Sequence, residues 1–241
     1  MKKLINYLFL ILIFLILAFA LTLSTIGIET SKFNKLISDK ASNTKRIDLE
    51  LDTIKFKLDL KEFSLFLETE NPKIIYSKAS VPVKNIKVYI DFLSLLKSDP
   101  KIKKTTLTLE ELDITQLNEL SIIIKPSNFK SLINNKIKQG KLISEIEIFL
   151  NEQGSLKDFI AKGTVKNLKA ELFDDFSLKQ TNLSFIADNK DILIKNIFGT
   201  LENIKISDGD IKISLENGIK LNSNFNSKIN LDEKMLKKYH K

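Results

Sequence analysis

The segment from Leu4 to Ile28 contains no charged residue, and every residue from Leu8 to Leu21 is apolar. That run decides how the fold must begin. About 22 residues, Tyr7 to Ile28, make a helix of roughly 33 Å at 1.5 Å rise, enough to cross a bilayer's hydrocarbon core. Leu8, Phe9, Leu12, Phe14, Leu17 and Leu21 are the anchor side chains expected to meet lipid. Lys2 and Lys3 precede the run, so the positive-inside tendency predicts a cytoplasmic N-terminus. Everything after Glu29 then lies across the membrane.

A cleaved signal peptide shares the basic start, the apolar stretch and a small-x-small site, here Ala18-Phe19-Ala20. The apolar run continues past that site through Leu21, Leu23, Ile26 and Ile28, longer than an ordinary signal core. Its length predicts an uncleaved single-pass anchor over 1–28, and either route exports the remainder. Past the anchor, Phe33, Leu36, Ile37 and Ala41 share one helical face, predicting an amphipathic linker helix over 29–45. Residues 46–241 then form one strand-rich domain.

The chain contains no cysteine, so an exported domain of this kind relies on ladder hydrogen bonds and apolar burial rather than disulfides. Thiol catalysis and thiolate metal sites are excluded with it. A net charge of +8 raises the question of nucleic acid. The lysines, however, are spread through strand-like patterns: Lys55 and Lys57 alternate with Ile54 and Phe56, and Lys84 and Lys87 flank Ile86. Lys205 and Lys212 sit in the same way, as on solvated strand faces. No nucleic-acid partner is expected, and a modest attraction to anionic headgroups is a better use of the excess.

From Ile47 the apolar period is two. Ile47, Leu49 and Leu51 occupy odd positions, whereas Ile54, Phe56, Leu58 and Leu60 occupy even ones. Such a flip near Thr53 requires a bulge or a tight turn. Strand-like runs follow at 63–68, 81–92, 105–110, 143–150, 165–172, 183–187, 192–198, 201–206, 211–215 and 219–225. Turn signals divide them at Asn71-Pro72, Asp99-Pro100, Asn151 to Ser155, Asp174-Asp175, Asp188 to Asp191, Asp208-Gly209 and Asn217-Gly218. The last two are favoured centres of two-residue hairpins. One helix interrupts the series: Ser127 caps it, Phe129, Leu132, Ile133 and Ile137 form its stripe, and Gly140 ends it. The fold class is therefore mainly β: an N-terminal transmembrane helix, then a long curved antiparallel sheet forming a trough, with one or two short covering helices.

Chemistry is sparse. The single histidine, His240, stands among lysines near the end of the chain, a poor base for hydrolytic catalysis. Asp208-Gly209-Asp210 and Asp188-Asn189-Lys190-Asp191 lack the spaced oxygens and closing Glu of a calcium loop, so they read as turns. Glu110-Glu111 has no device beside it to shift a pKa. No catalytic, cofactor or metal-binding residue is named, and no enzyme is expected.

The apolar strand faces carry the better signal. Phe56, Leu65, Val88, Ile90, Leu107, Leu109, Ile146 and Ile148 are the candidates for a lipid-binding face. Phe63, Leu67, Val83, Ile86, Phe185, Ile211, Ile213 and Leu215 would extend it. These residues could equally fill a closed sandwich core. Against that, few helices are available to cover so long a sheet, and the chain is tethered at a membrane.

The run Leu65 to Ile114, LFLETENPKIIYSKASVPVKNIKVYIDFLSLLKSDPKIKKTTLTLEELDI, following an N-terminal anchor, resembles the AsmA-like proteins of Gram-negative envelopes. The features that match are a strand ending near Pro72, a strand with Val83, Ile86, Val88 and Ile90, the apolar Phe92 to Leu96, and a strand through Leu107 and Leu109. The resemblance implies an inner-membrane protein with its bulk in the periplasm. It also implies an apolar β-groove that carries phospholipid acyl chains to, or maintains, the outer membrane. The chain is short for such a role and reads as an N-terminal portion. The alternative is an envelope assembly or scaffold protein pairing with a partner, in outer-membrane protein or lipopolysaccharide-export assembly, through an exposed sheet edge.

Overall fold

Helix α1 (Lys2–Thr25) takes up the apolar segment and is long and apolar enough to cross a membrane. Leu8, Phe9, Leu12, Phe14, Leu17 and Leu21 all stand exposed along it. Two threonines close its C-terminal end: Thr22 and Thr25 hydroxyls donate to the Ala18 and Leu21 carbonyls, each at 2.8 Å. Gly27 then turns the chain at φ 78, where a residue with a Cβ is disfavoured, and its N–H donates to the Thr22 carbonyl. The computed structural model describes residues 2–30, 34, 47–62, 64–76, 79–91, 101–121, 131, 134–151, 153, 155–173, 176–202, 204–216 and 218–229.

The helix ends sooner than the sequence predicts. Ile28–Thr30 form strand β1, paired antiparallel with strand β3 (Ile54–Asp59) so that Ile28 faces Phe56. The expected linker helix therefore does not begin at Glu29. Asn34 is helical, and residues 31–33 and 35–45, where the rest of that expectation falls, lie outside the described residues.

The chain divides into two compact units, residues 1–108 with 147–157 and residues 109–146 with 158–241. In the first, β3 pairs with β4 (Ser64–Glu70), which pairs with the second half of β6 (Ala79–Ile90), next to β7 (Ile102–Leu109). Strands β2 (Ile47–Glu50) and β5 (Lys73–Tyr76) pair with each other, and β5 pairs with the first half of β6. The parity flip near Thr53 is thus a change of partner: β2 joins β5, and after a bend at Asp52 the chain enters β3. Strand β5 was not foreseen.

The second unit starts with β8 (Leu112–Asp113) and helix α2 (Ile114–Ser121), which the sequence reading did not place. Asp113 caps α2: its Oδ1 accepts from the Gln116 N–H, and Gln116 Oε1 accepts in return from the Asp113 N–H. Strand β9 (Ile137–Leu150) occupies Ile137 and Gly140, which the sequence reading gave to the end of a helix. Ser131 and residues 134–136 are helical, so that helix stops before Ile137. Then come β10 (Leu156–Phe173), β11 (Phe176–Ala187), β12 (Asp191–Leu201), β13 (Ile204–Ser214) and β14 (Lys220–Lys228), each antiparallel to the next. Each unit is built mainly of antiparallel strands, so the chain is mainly β as expected.

Two turn expectations change. Asp208-Gly209 lies inside β13, not at a hairpin, and Gly209 is there because the Phe225 ring occupies the space a Cβ would need. Residues 201–206, expected as a strand, contain the turn between β12 and β13, with Glu202 at φ 52 and Leu201 facing Ile204. The turn at Asp188 holds: its carboxylate accepts from the Lys190 and Asp191 N–H groups, each at 2.8 Å. Those bonds keep the carboxyl below its ordinary pKa.

A line of bulges crosses the second unit. Asn167, Gln180 and Asn196 adopt left-handed φ of 52, 49 and 53, and the register of β13 against β14 shifts around Ser207. Each of β10 to β13 gains one residue there, so the apolar parity changes in all of them. Ile192 and Ile194 precede the bulge in β12, and Ile197 and Leu201 follow it at the opposite parity. Because neighbours bulge together, Ile194 faces Ile211 and Gly199 faces Ile206 in the same register. Asn182 Oδ1 accepts the Asn167 N–H at 3.0 Å, and Asn196 Nδ2 donates to Ser184 Oγ at 3.0 Å.

Candidate functional site

In the first unit, alternation puts Ile54, Phe56, Leu58, Leu65, Leu67, Thr69, Ile86, Val88 and Ile90 on one face, since cross-strand partners share a face. Ile54, Leu67 and Ile90 form the packed cluster at its centre, with Leu51, Phe56 and Val88 against it. Opposite stand side chains from the β2–β5 pair, where Leu49 faces Ile74 and Ile74 faces Val81. Strand β6 belongs to both layers. Its residues Ala79 to Pro82 pair with β5, and Asn85 to Ile90 pair with β4.

Between them lies a cleft of about 280 Å³, walled by Leu49, Leu51 and Ile74 on one side and Ile54, Val88 and Leu107 on the other. Thr69 and Thr105 also border it, but its surface is almost wholly hydrocarbon. A space with so little polar surface favours an apolar guest over ordered water.

The opposite face of the same strands is polar. Glu68, only 8% exposed, lies 2.6 Å from Lys57 Nζ and 3.7 Å from Lys87 Nζ, and accepts from Asn85 Nδ2 at 2.8 Å. Burial pushes its carboxyl up, but the bonds from Lys57 and Asn85 and both lysine charges outweigh that and hold it below the ordinary range. Phe66 and Tyr89 stack beside it at 5.2 Å, and Lys104 Nζ lies 4.3 Å over the Tyr89 ring. This arrangement pins the strands and leaves the reactive groups paired.

The eight candidates for a lipid face do not fall in one place. Val88 and Leu107 wall the cleft. Phe56, Val88 and Ile90 belong to the packed cluster, and Leu65 faces Ile90 across β4 and β6. Leu109, Ile146 and Ile148 are half-buried on β7 and β9 and are not among the cleft residues. Of the extending set, Phe63 lies outside the described residues. Sequence reasoning missed Leu49, Leu51 and Ile74 as cleft walls. Their alternation was visible, but the fold-over that turns them toward β3 depends on the unforeseen β5.

Among the described residues no group of three His, Cys, Asp or Glu side chains is placed to hold a metal ion. Comparison with protein-family models, curated proteins and solved structures finds no match.

Proposed function

We propose that the chain is a membrane-anchored lipid-binding protein that takes a single acyl chain into the cleft between β2–β5 and the β3–β4–β6–β7 face. The observation that carries this reading is a hydrocarbon-lined cleft in the same compact unit as a helix fit to span a bilayer. Its volume, about 280 Å³, falls just below the range of roughly 300–1,000 Å³ for drug-sized ligands. That suits one chain better than a whole lipid. Each methylene withdrawn from water contributes about 0.8 kcal/mol, with no nucleophile or cofactor required.

The likeness of Leu65–Ile114 to AsmA-like proteins supports a periplasmic setting and a part in phospholipid movement to, or upkeep of, the outer membrane. That stretch supplies Leu67, Ile74, Val88 and Leu107 to the cleft. The test is photolabelling of the reconstituted full chain with phosphatidylcholine carrying a diazirine at an acyl terminus. Adducts on peptides bearing Leu67, Val88 or Leu107 are expected. Adducts confined to α1 would end the reading.

A second reading, strand pairing with an envelope partner, is favoured by β14. Among the described residues it ends the strand order, and all nine of its residues are exposed, Leu221 and Phe225 among them. A partner captured by the full chain and lost on Asn224→Pro would support it.

A further inference from the structure

Register in the second unit brings together lysines that are far apart in sequence. Lys179 faces Thr200, Thr200 faces Lys205, and Lys205 directly faces Lys228. Cross-strand partners share a face, so these side chains form one row from β11 to β14. Lys169 of β10 joins the row, bordering with Lys179 a polar depression of about 640 Å³. Gln139, Asn167, Gln180 and Thr200 complete its rim. A second depression of about 410 Å³ adjoins it, bordered by Asn182, Phe198, Thr200, Lys205 and Ser207.

The row is a poor arrangement for the isolated protein. Like charges directly opposite on a sheet are destabilising. Two of the nearby acids are committed to other partners. Glu171 pairs with Lys138 at 3.3 Å, and Glu202 accepts from the Ser177 N–H and hydroxyl at 2.8 Å. Asp208 and Asp210 share the face but lie further along β13, opposite Asn226 and Asn224 and past the Lys205–Lys228 pair. On the same face, Phe198 keeps 47% of its surface exposed and stands two residues from Thr200 on β12. Cations flanking an exposed aromatic match the chemistry of an anionic bilayer surface, where the ring enters the headgroup boundary and the lysines meet phosphates.

We infer that this face of the second unit is a docking surface for anionic phospholipid membranes, with Lys169, Lys179, Lys205 and Lys228 facing headgroup phosphates and Phe198 inserting between them. The inference is independent of acyl-chain binding in the first unit and survives its failure.

The absence of cysteine makes the test clean. The full chain carrying Ser207→Cys, labelled with an environment-sensitive fluorophore, is reconstituted in nanodiscs and titrated with vesicles. One set is pure phosphatidylcholine and the other contains phosphatidylglycerol. A blue shift on the phosphatidylglycerol vesicles alone, lost at high salt, is expected. Each lysine near such a surface is worth roughly fivefold in binding, so Lys179→Glu with Lys205→Glu should weaken it by about 25-fold or more. Lys84→Glu, on β6 of the first unit, should leave it unchanged. Equal response to both vesicle types, or an unaltered double variant with native circular dichroism, would overturn the inference. So would equally tight binding of a single-stranded oligonucleotide, which would mark a surface for polyanions in general.

Discussion

Thr181 lies so close beneath Gly199 that a Cβ on the glycine would collide with the Thr181 hydroxyl and lie 2.8 Å from its Cα and Cβ. Thr181 is itself fully buried. The Thr181 side chain of β11 therefore fills the place a side chain on Gly199 of β12 would take, beside the row of bulges. Gly199→Ala should destabilise the chain by about 1–3 kcal/mol through overpacking, read as a lower urea midpoint in detergent. Gly140→Ala is the contrast: its added Cβ would meet Leu168 at an ordinary 3.5 Å. It should be neutral or stabilising by about half a kcal/mol.

Removing the Glu68 side chain should cost more than removing a surface acid. Lys57 and Lys87 would keep their charges on a largely buried face with the carboxylate gone. Breaking such a pair from one side costs about 3 kcal/mol, whereas Glu68→Ala combined with Lys57→Ala should recover part of the loss in a double-mutant cycle. A double-variant cost equal to the sum of the two single costs would remove the pairing argument.

Acid should expose the same group. The Glu68 carboxyl titrates lower in the folded chain than its ordinary value. Its contribution is complete above the unfolded value and disappears as pH falls through the folded one. Urea midpoints should therefore drop as pH falls below the ordinary carboxylate value of 4.5, and Glu68→Gln should flatten that part of the profile. An unchanged slope in the variant would assign the acid sensitivity elsewhere.

Filling the cleft should separate lipid binding from folding. Leu107 is half-buried at the cleft wall, so Leu107→Trp directs the larger indole into the cleft. Acyl photolabelling outside α1 should fall sharply while the thermal midpoint stays near that of the parent. Undiminished labelling would locate the lipid elsewhere.

The orientation of α1 is open to a direct measurement. With no native cysteine, Lys3→Cys and Ser155→Cys can be probed singly in intact spheroplasts with a membrane-impermeant maleimide. Modification of Ser155→Cys but not Lys3→Cys is expected from the lysines that precede the helix. The reverse pattern would invert the topology.

The strand-rich character and the anchor were legible because their signals are local. Fourteen apolar residues in a row, or Ile54-Lys55-Phe56-Lys57, need no distant partner to be read. What escaped was set by pairing. Ile192 and Ile194 change parity to Ile197 and Leu201 within one strand, which resembles a break unless β11 and β13 are known to bulge alongside. Gly209 looked like a turn because Asp-Gly usually is one, and only Phe225 opposite explains it as a strand residue. The cleft depended on the short β5 folding over. The lysine row is invisible along the chain, since residues 169, 179, 205 and 228 acquire a common face only through register.

The bulges also restrict how this chain can change over generations. Where four adjacent strands each carry one surplus residue at nearly the same level, loss of Asn196 alone would turn half of β12 inside out against two neighbours that had not moved. Ile192 and Ile194 would face water while Leu193 and Lys195 were driven inward. Single-residue insertions and deletions in this part of the gene should therefore be purged. Lineages that differ in length here should differ in several strands at once, or in the turns and not in the strands.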